Sequence, residues 1–229
     1  MISNLITICK KHMLLASVKA VVREPYIPFV PKKWNGVLVL AESQNMSKKN
    51  DHYVKWLKGY SRDEKIKRLY LKEDEVGIQP WDDNSLKLAV EAAFGCLAID
   101  TAVSNAVLWS QRGDGGVNIN PDKELQKASS LLWEVLLPVL NPSLVICCGK
   151  IAKDVIANTG WTGKTLSLRL PSPSALSRIS GMFDEDDLLK RYPEVARVIK
   201  KHPEWIKGYK KNKIFFACHA VSLRGKKGA

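Results

Sequence analysis

Four short apolar runs punctuate the chain, at Gly36 to Ala41, Val103 to Trp109, Leu144 to Cys148 and Thr165 to Leu170. Short runs rich in Val, Leu and Ile are what strands covered on both faces require. Between them lie stretches with helical spacing. Leu86 to Ala98 predicts a helix capped by Asp83, Asn84 or Ser85. Leu125, Ala128, Leu132, Val135 and Val139 form one apolar stripe of a second, with Pro121 at its first turn and Pro142 beyond its end. Ile151 to Asn158 predicts a third helix, the charged segment Asp184 to Tyr209 has a helical pattern, and Lys213 to Leu223 reads as a last strand. Ahead of all these, Ile2 to Val22 predicts an N-terminal helix, and the prolines at 25, 28 and 31 demand an extended connection. Strands alternating with helices predict an α/β domain, three-layer α/β/α with a mainly parallel central sheet. The expected organisation is a single domain over 1–229, with a helix and extended arm at 1–35 and a basic extension from about 184 to 229.

In such folds the carboxyl ends of the strands carry the chemistry. Glu42, Ser43, Gln44 and Asn45 directly follow the first run and are expected on a loop at that edge. Glu42 serves equally well as a helix-initiating carboxylate for the segment after Ser47. Asn105 is expected where the second run turns polar. Its amide offers one acceptor and two donors in a plane, which match the Watson–Crick edge of a pyrimidine; the alternative is an amide that ties down a loop. Trp81, at the head of a helix, reads either as core or as a flat face for a base. Gly149-Lys150, between a strand and a helix, has the form of a generic anion site. In Pro171 to Arg178 two prolines stiffen a loop of small hydroxyl residues with Leu176 at its tip, a form that suits a wedge pushed into a base stack.

Charge narrows the choice of partner. The 36 basic and 23 acidic side chains leave +13, unevenly placed. Lys48 to Lys72 carries nine basic residues against three acids, and Arg197 to Ala229 carries ten against Glu204 alone. Clusters of this kind favour a polyanion, most simply nucleic acid. The apolar stretch near the start is broken by Lys10, Lys11, His12 and Lys19, too early for a membrane span, and lacks the form of a secretory signal. The five cysteines form no Cys-x-x-Cys pair and no zinc spacing, so reduced thiols in a cytoplasmic protein are expected, with no metal and no cofactor.

Taken in order, these loops resemble the uracil-DNA glycosylase superfamily. Val-Leu-Val-Leu-Ala-Glu-Ser-Gln-Asn (37 to 45) is similar to its water-activating first motif. Pro80 to Leu86 resembles the proline-serine loop that pinches the DNA backbone, and Asn105-Ala106-Val107-Leu108 the segment whose Asn recognises the flipped pyrimidine. Gly149-Lys150 corresponds to the phosphate loop, and Leu170-Pro-Ser-Pro-Ser-Ala-Leu-Ser-Arg178 to the closing, intercalating motif. There are departures. Ser43 stands where the classical first motif has Asp, while Glu42 matches the carboxylate of the branches bearing an iron–sulfur cluster, whose paired cysteines are missing here. Leu170 replaces the frequent closing His, as in mismatch-specific thymine-DNA glycosylases.

The resemblance implies a DNA glycosylase that flips a pyrimidine out of duplex or single-stranded DNA and hydrolyses its N-glycosidic bond. Glu42, with Ser43 beside it, would orient water or stabilise the cationic sugar, and Asn105 would bind the base edge. Gln44, Asn45, Tyr53 and Trp81 would shape the pocket. Ser85, Gly149, Lys150, Ser172, Pro173, Ser174 and Arg178 would hold the DNA, with Leu176 filling the vacated space. A uracil or other deaminated base ranks ahead of a bulky modified cytosine such as those of phage DNA, the former implying repair and the latter antiviral defence. The expected enzyme is a monomer without membrane attachment. Two other classes stay open: a non-catalytic DNA-binding module that keeps the fold, and a nucleotide-binding α/β protein using Gly149-Lys150.

Overall fold

The fold was obtained as a computed structural model, which describes residues 2–15, 18, 20, 23–46, 78–112, 121–169 and 181–226. The strands are β1 (Val37–Met46), β2 (Ala102–Arg112), β3 (Leu144–Cys148) and β4 (Thr165–Leu168), all parallel in the order β2-β1-β3-β4. In chain order the helices are α1 (Ile2–Lys11), α2 (Gln79–Asp82), α3 (Ser85–Phe94), α4 (Lys123–Leu140), α5 (Lys150–Ala157), α6 (Glu185–Arg191), α7 (Pro193–Lys201) and α8 (Lys210–Lys226).

Side-chain alternation divides the core between the sheet's faces. Val37, Val39 and Ala41 of β1 bury against α3 and α8, whereas Leu38 and Leu40 bury against the side of α1, α4 and α5. Helices therefore cover both faces, as expected for a three-layer α/β/α fold. The chain moves from β1 outward to β2 through α3, then hops back over β1 to β3 through α4. Right-handed crossovers in opposite directions must put their helices on opposite faces, which is where α3 and α4 lie.

Four sequence expectations need correction. Glu42 to Asn45 is not a loop: β1 continues to Met46 because β2 continues beside it, with Ser43 paired to Val107, Asn45 to Gln111 and Met46 to Arg112. A register shift between Ser43 and Asn45 marks the start of this two-stranded extension. Asn105 likewise lies inside β2, not at its end. The segment from Lys213 to Leu223 is not a strand but the body of α8, where Ile214, Ala217, Cys218 and Val221 recur at helical spacing against α3. Finally, the buried stripe of α4 is Leu125, Ser129, Leu132, Trp133, Leu136, Leu137 and Leu140, and Val135 and Val139 face outward. Serines set that phase. The Ser129 hydroxyl accepts from Leu108 N at 2.9 Å, Ser130 donates to Val155 O, and the Trp133 indole donates to Ala106 O at 2.8 Å.

The proline-rich arm behaves as its prolines require. It runs along the outer edge of β2, with Phe29 and Val103 exchanging backbone hydrogen bonds and Tyr26 N donating to Leu108 O. An edge that would otherwise offer unpaired backbone groups is thereby closed. The five cysteines are free thiols, and among the described residues no group of His, Cys, Asp or Glu is placed to hold a metal. None of the described helices is long and apolar enough to cross a membrane.

Candidate active site

Chain direction reverses between β1 and β3: β1 leads outward to β2, and β3 leads the other way to β4. The crevice at the carboxyl ends of such a pair is where open α/β sheets bind ligands. β3 stops at Cys148, whereas β1 runs on for several residues. The sheet edge is therefore stepped, and Glu42 stands on the step.

Its carboxylate reaches over the end of β3 to the first turn of α5. Glu42 Oε1 accepts from Ile151 N at 3.1 Å, and the backbone of Lys150 is a second partner. The first amides of a helix have no partner within it and carry partial positive charge, so an acid is favoured there. Gly149 permits the approach. It sits at φ 95°, and a Cβ at this position would collide with the Glu42 carboxylate. Burial raises the Glu42 pKa above the usual glutamate range, and the two backbone hydrogen bonds only partly offset this. The neighbouring Cys148 thiol is pushed up by complete burial, then by Cys147 and Glu42. The site thus combines a half-buried acid that holds its proton more tightly than usual, a helix terminus and an exposed lysine, Lys150.

Asn105 lies in the adjoining row. It pairs with Ala41, the residue before Glu42, and is 5% exposed. Strand spacing and rise put its Cα about 6 Å from that of Glu42. Alternation nevertheless sends the two side chains to opposite faces, Asn105 with Ala41 toward α3 and Glu42 toward α5. Because β1 and β2 stay paired as far as Met46 and Arg112, the sheet itself separates these two side chains.

The other expected residues divide clearly. Ser43 is half-buried in β1 opposite Val107. Gln44 and Asn45 lie in the backbone of the β1 extension, their side chains outside the described residues. Trp81 is core rather than a stacking platform: it is 5% exposed beneath α3, with Lys87 Nζ 5.9 Å from its ring centroid. Ser85 is buried as the first residue of α3, and its amide donates to Asp83 Oδ1 at 2.8 Å. Tyr53, Ser172, Pro173, Ser174, Leu176 and Arg178 lie outside the described residues, as does Leu170.

Two features of this edge escaped sequence reading. The partner of Glu42 is 109 residues away, and nothing local to either residue announces it. Lys213 is a buried cation whose ammonium donates to Asp83 O at 2.6 Å, Lys207 O at 2.8 Å and Trp205 O at 3.1 Å. Its clue in the sequence was a lysine at an inward position of an otherwise apolar helical repeat. No family model matches the chain, and no curated protein matches it.

Proposed function

We propose that the protein is a DNA glycosylase of the uracil-DNA glycosylase superfamily, excising a deaminated or otherwise modified pyrimidine by hydrolysis of its N-glycosidic bond. The observation that carries this reading is Glu42: an acid with a raised pKa at the β1/β3 switch point, held against the first turn of α5. A general base works best when its pKa is drawn toward the working pH, and desolvation does this for a carboxylate. In the ionised form Glu42 takes a proton from the attacking water, or stabilises the cationic sugar as the base departs. The family resemblance gives Asn105 the edge of the extruded base, but its side chain is buried on the α3 face of the sheet, opposite Glu42, so this role rests on the resemblance and not on the geometry. The excess of basic residues supplies the affinity for the phosphate backbone.

One observation favours the second reading, a DNA-binding module without chemistry. The Glu42 carboxylate already has backbone partners in α5, which suffices to explain an acid at that place. Duplexes carrying uracil, hypoxanthine, a thymine mismatch or a modified cytosine separate the two. Alkali-labile strand breaks identify the glycosylase and its base; retarded DNA without breaks identifies the module.

A further inference from the structure

The turn between α7 and α8 has a construction that the proposed chemistry does not use. Gly208 and Tyr209 are both left-handed, with φ of 65° and 49°. For tyrosine that conformation is unfavourable and persists only where its surroundings impose it. Here the imposition is visible: the Lys213 ammonium lies beneath the turn and spends its three protons on Trp205 O, Lys207 O and Asp83 O. The result is a projecting turn with Tyr209 68% exposed at its tip, Lys207 exposed and Lys211 half-exposed beside it, and Lys210 ion-paired to Glu185. From Trp205 to Lys226 the sequence contains no acid. An exposed ring held among lysines is the pattern by which proteins grip a nucleic-acid strand, phosphates on the cations and a base or sugar on the ring.

Its place in the fold gives the partner a direction. α3 returns the chain from the carboxyl edge of the sheet to the start of β2, so its first residues lie at that edge, and Lys213 ties the turn to Asp83 just ahead of them. The projection therefore stands at the carboxyl edge of the sheet on the α3 side, while the Glu42 carboxylate faces α5 on the other side.

We infer that Lys207 to Lys211 is a second DNA contact, in which Tyr209 packs on a nucleotide flanking the base site while Lys207 and Lys211 neutralise phosphates. This inference rests on the DNA-binding part of the proposed function and not on its chemistry.

Fluorescence anisotropy with a labelled duplex containing one abasic-site analogue tests it, using Tyr209→Ala, Tyr209→Phe and the double variant Lys207→Ala/Lys211→Ala, each first checked for unchanged thermal unfolding. Tyr209→Ala should weaken binding about tenfold with the salt dependence unchanged, and Tyr209→Phe should restore it. The double variant should weaken binding and reduce the slope of log K against log salt by about 2. Wild-type affinity and slope in the Ala and double variants would overturn the inference, leaving any base release untouched. Conversely, a wild type that binds through this turn yet releases no base overturns the glycosylase reading alone. A wild type that does not bind the duplex overturns both.

Discussion

Glu42 and Ile151, 109 residues apart, are joined by a 3.1 Å hydrogen bond from the Ile151 amide to the Glu42 carboxylate across the end of β3. That bond couples the first central strand to the helix following the third. It also means that the terminus of α5, expected to receive a phosphate, is approached by an acid of the protein itself. Any anion arriving there meets Glu42 first.

Protonation of Glu42 should be visible in stability. Its folded pKa lies above the unfolded value, so the folded state binds this proton more tightly than the unfolded chain does. The stabilisation is complete below the ordinary glutamate range and is lost as pH rises through the raised value. Glu42→Gln keeps an acceptor for Ile151 N without the charge. Urea unfolding at a series of pH values should show the variant gaining on the wild type across that window and holding its advantage above it. A constant difference at all pH values would mean that burial does not perturb this acid.

Gly149→Ala should break the same arrangement from the other side. The new methyl falls on the Glu42 carboxylate, and φ of 95° disfavours any L side chain. A loss of about 1–3 kcal/mol in chemical denaturation is expected, together with loss of base release. Full stability and activity would show that the carboxylate need not lie over α5.

Lys213→Met tests the clamp under the 205–209 turn. Removing the ammonium leaves buried carbonyl groups of Asp83, Trp205 and Lys207 without this donor, at a cost of about 2–3 kcal/mol. Amide exchange should speed up at Trp205 to Tyr209 and around Asp83, while exchange in β3 stays slow. Uniform acceleration would mean that Lys213 supports the whole fold and not this corner.

Much of the architecture was legible because parallel strands buried on both faces announce themselves as apolar runs, and β3 ends at Cys148 as the residues predicted. The phase of α4 was not legible, since two apolar stripes compete in its sequence and the choice is made by serines that satisfy β2 and α5. The same competition hid α8, whose dense apolar residues suit a strand until the packing partner α3 is known. At the site, the partner of Glu42 was not legible, because a contact between distant segments depends on strand order. Strand ends were misjudged for a related reason: β1 and β2 extend past Asn105 only because each finds the other there.

That corrected phase makes its own prediction. Val135→Lys, on the outward face of α4, should change stability by no more than about 0.5 kcal/mol, whereas Leu136→Ala, one residue on and fully buried, should cost about 2–5 kcal/mol. Thermal unfolding of the two variants distinguishes the faces. Similar losses in both would restore the stripe through Val135 and Val139.

The most direct measurement is base release from a uracil-containing duplex and from duplexes with the alternative bases, by wild type and Glu42→Gln side by side, across a pH series. The wild type should leave alkali-labile sites at a rate that rises with pH through a pKa above the ordinary glutamate range, and Glu42→Gln should bind the same DNA while releasing no base. Release by the variant at the wild-type rate, or DNA binding by the wild type with no release from any of these duplexes, would contradict the assignment.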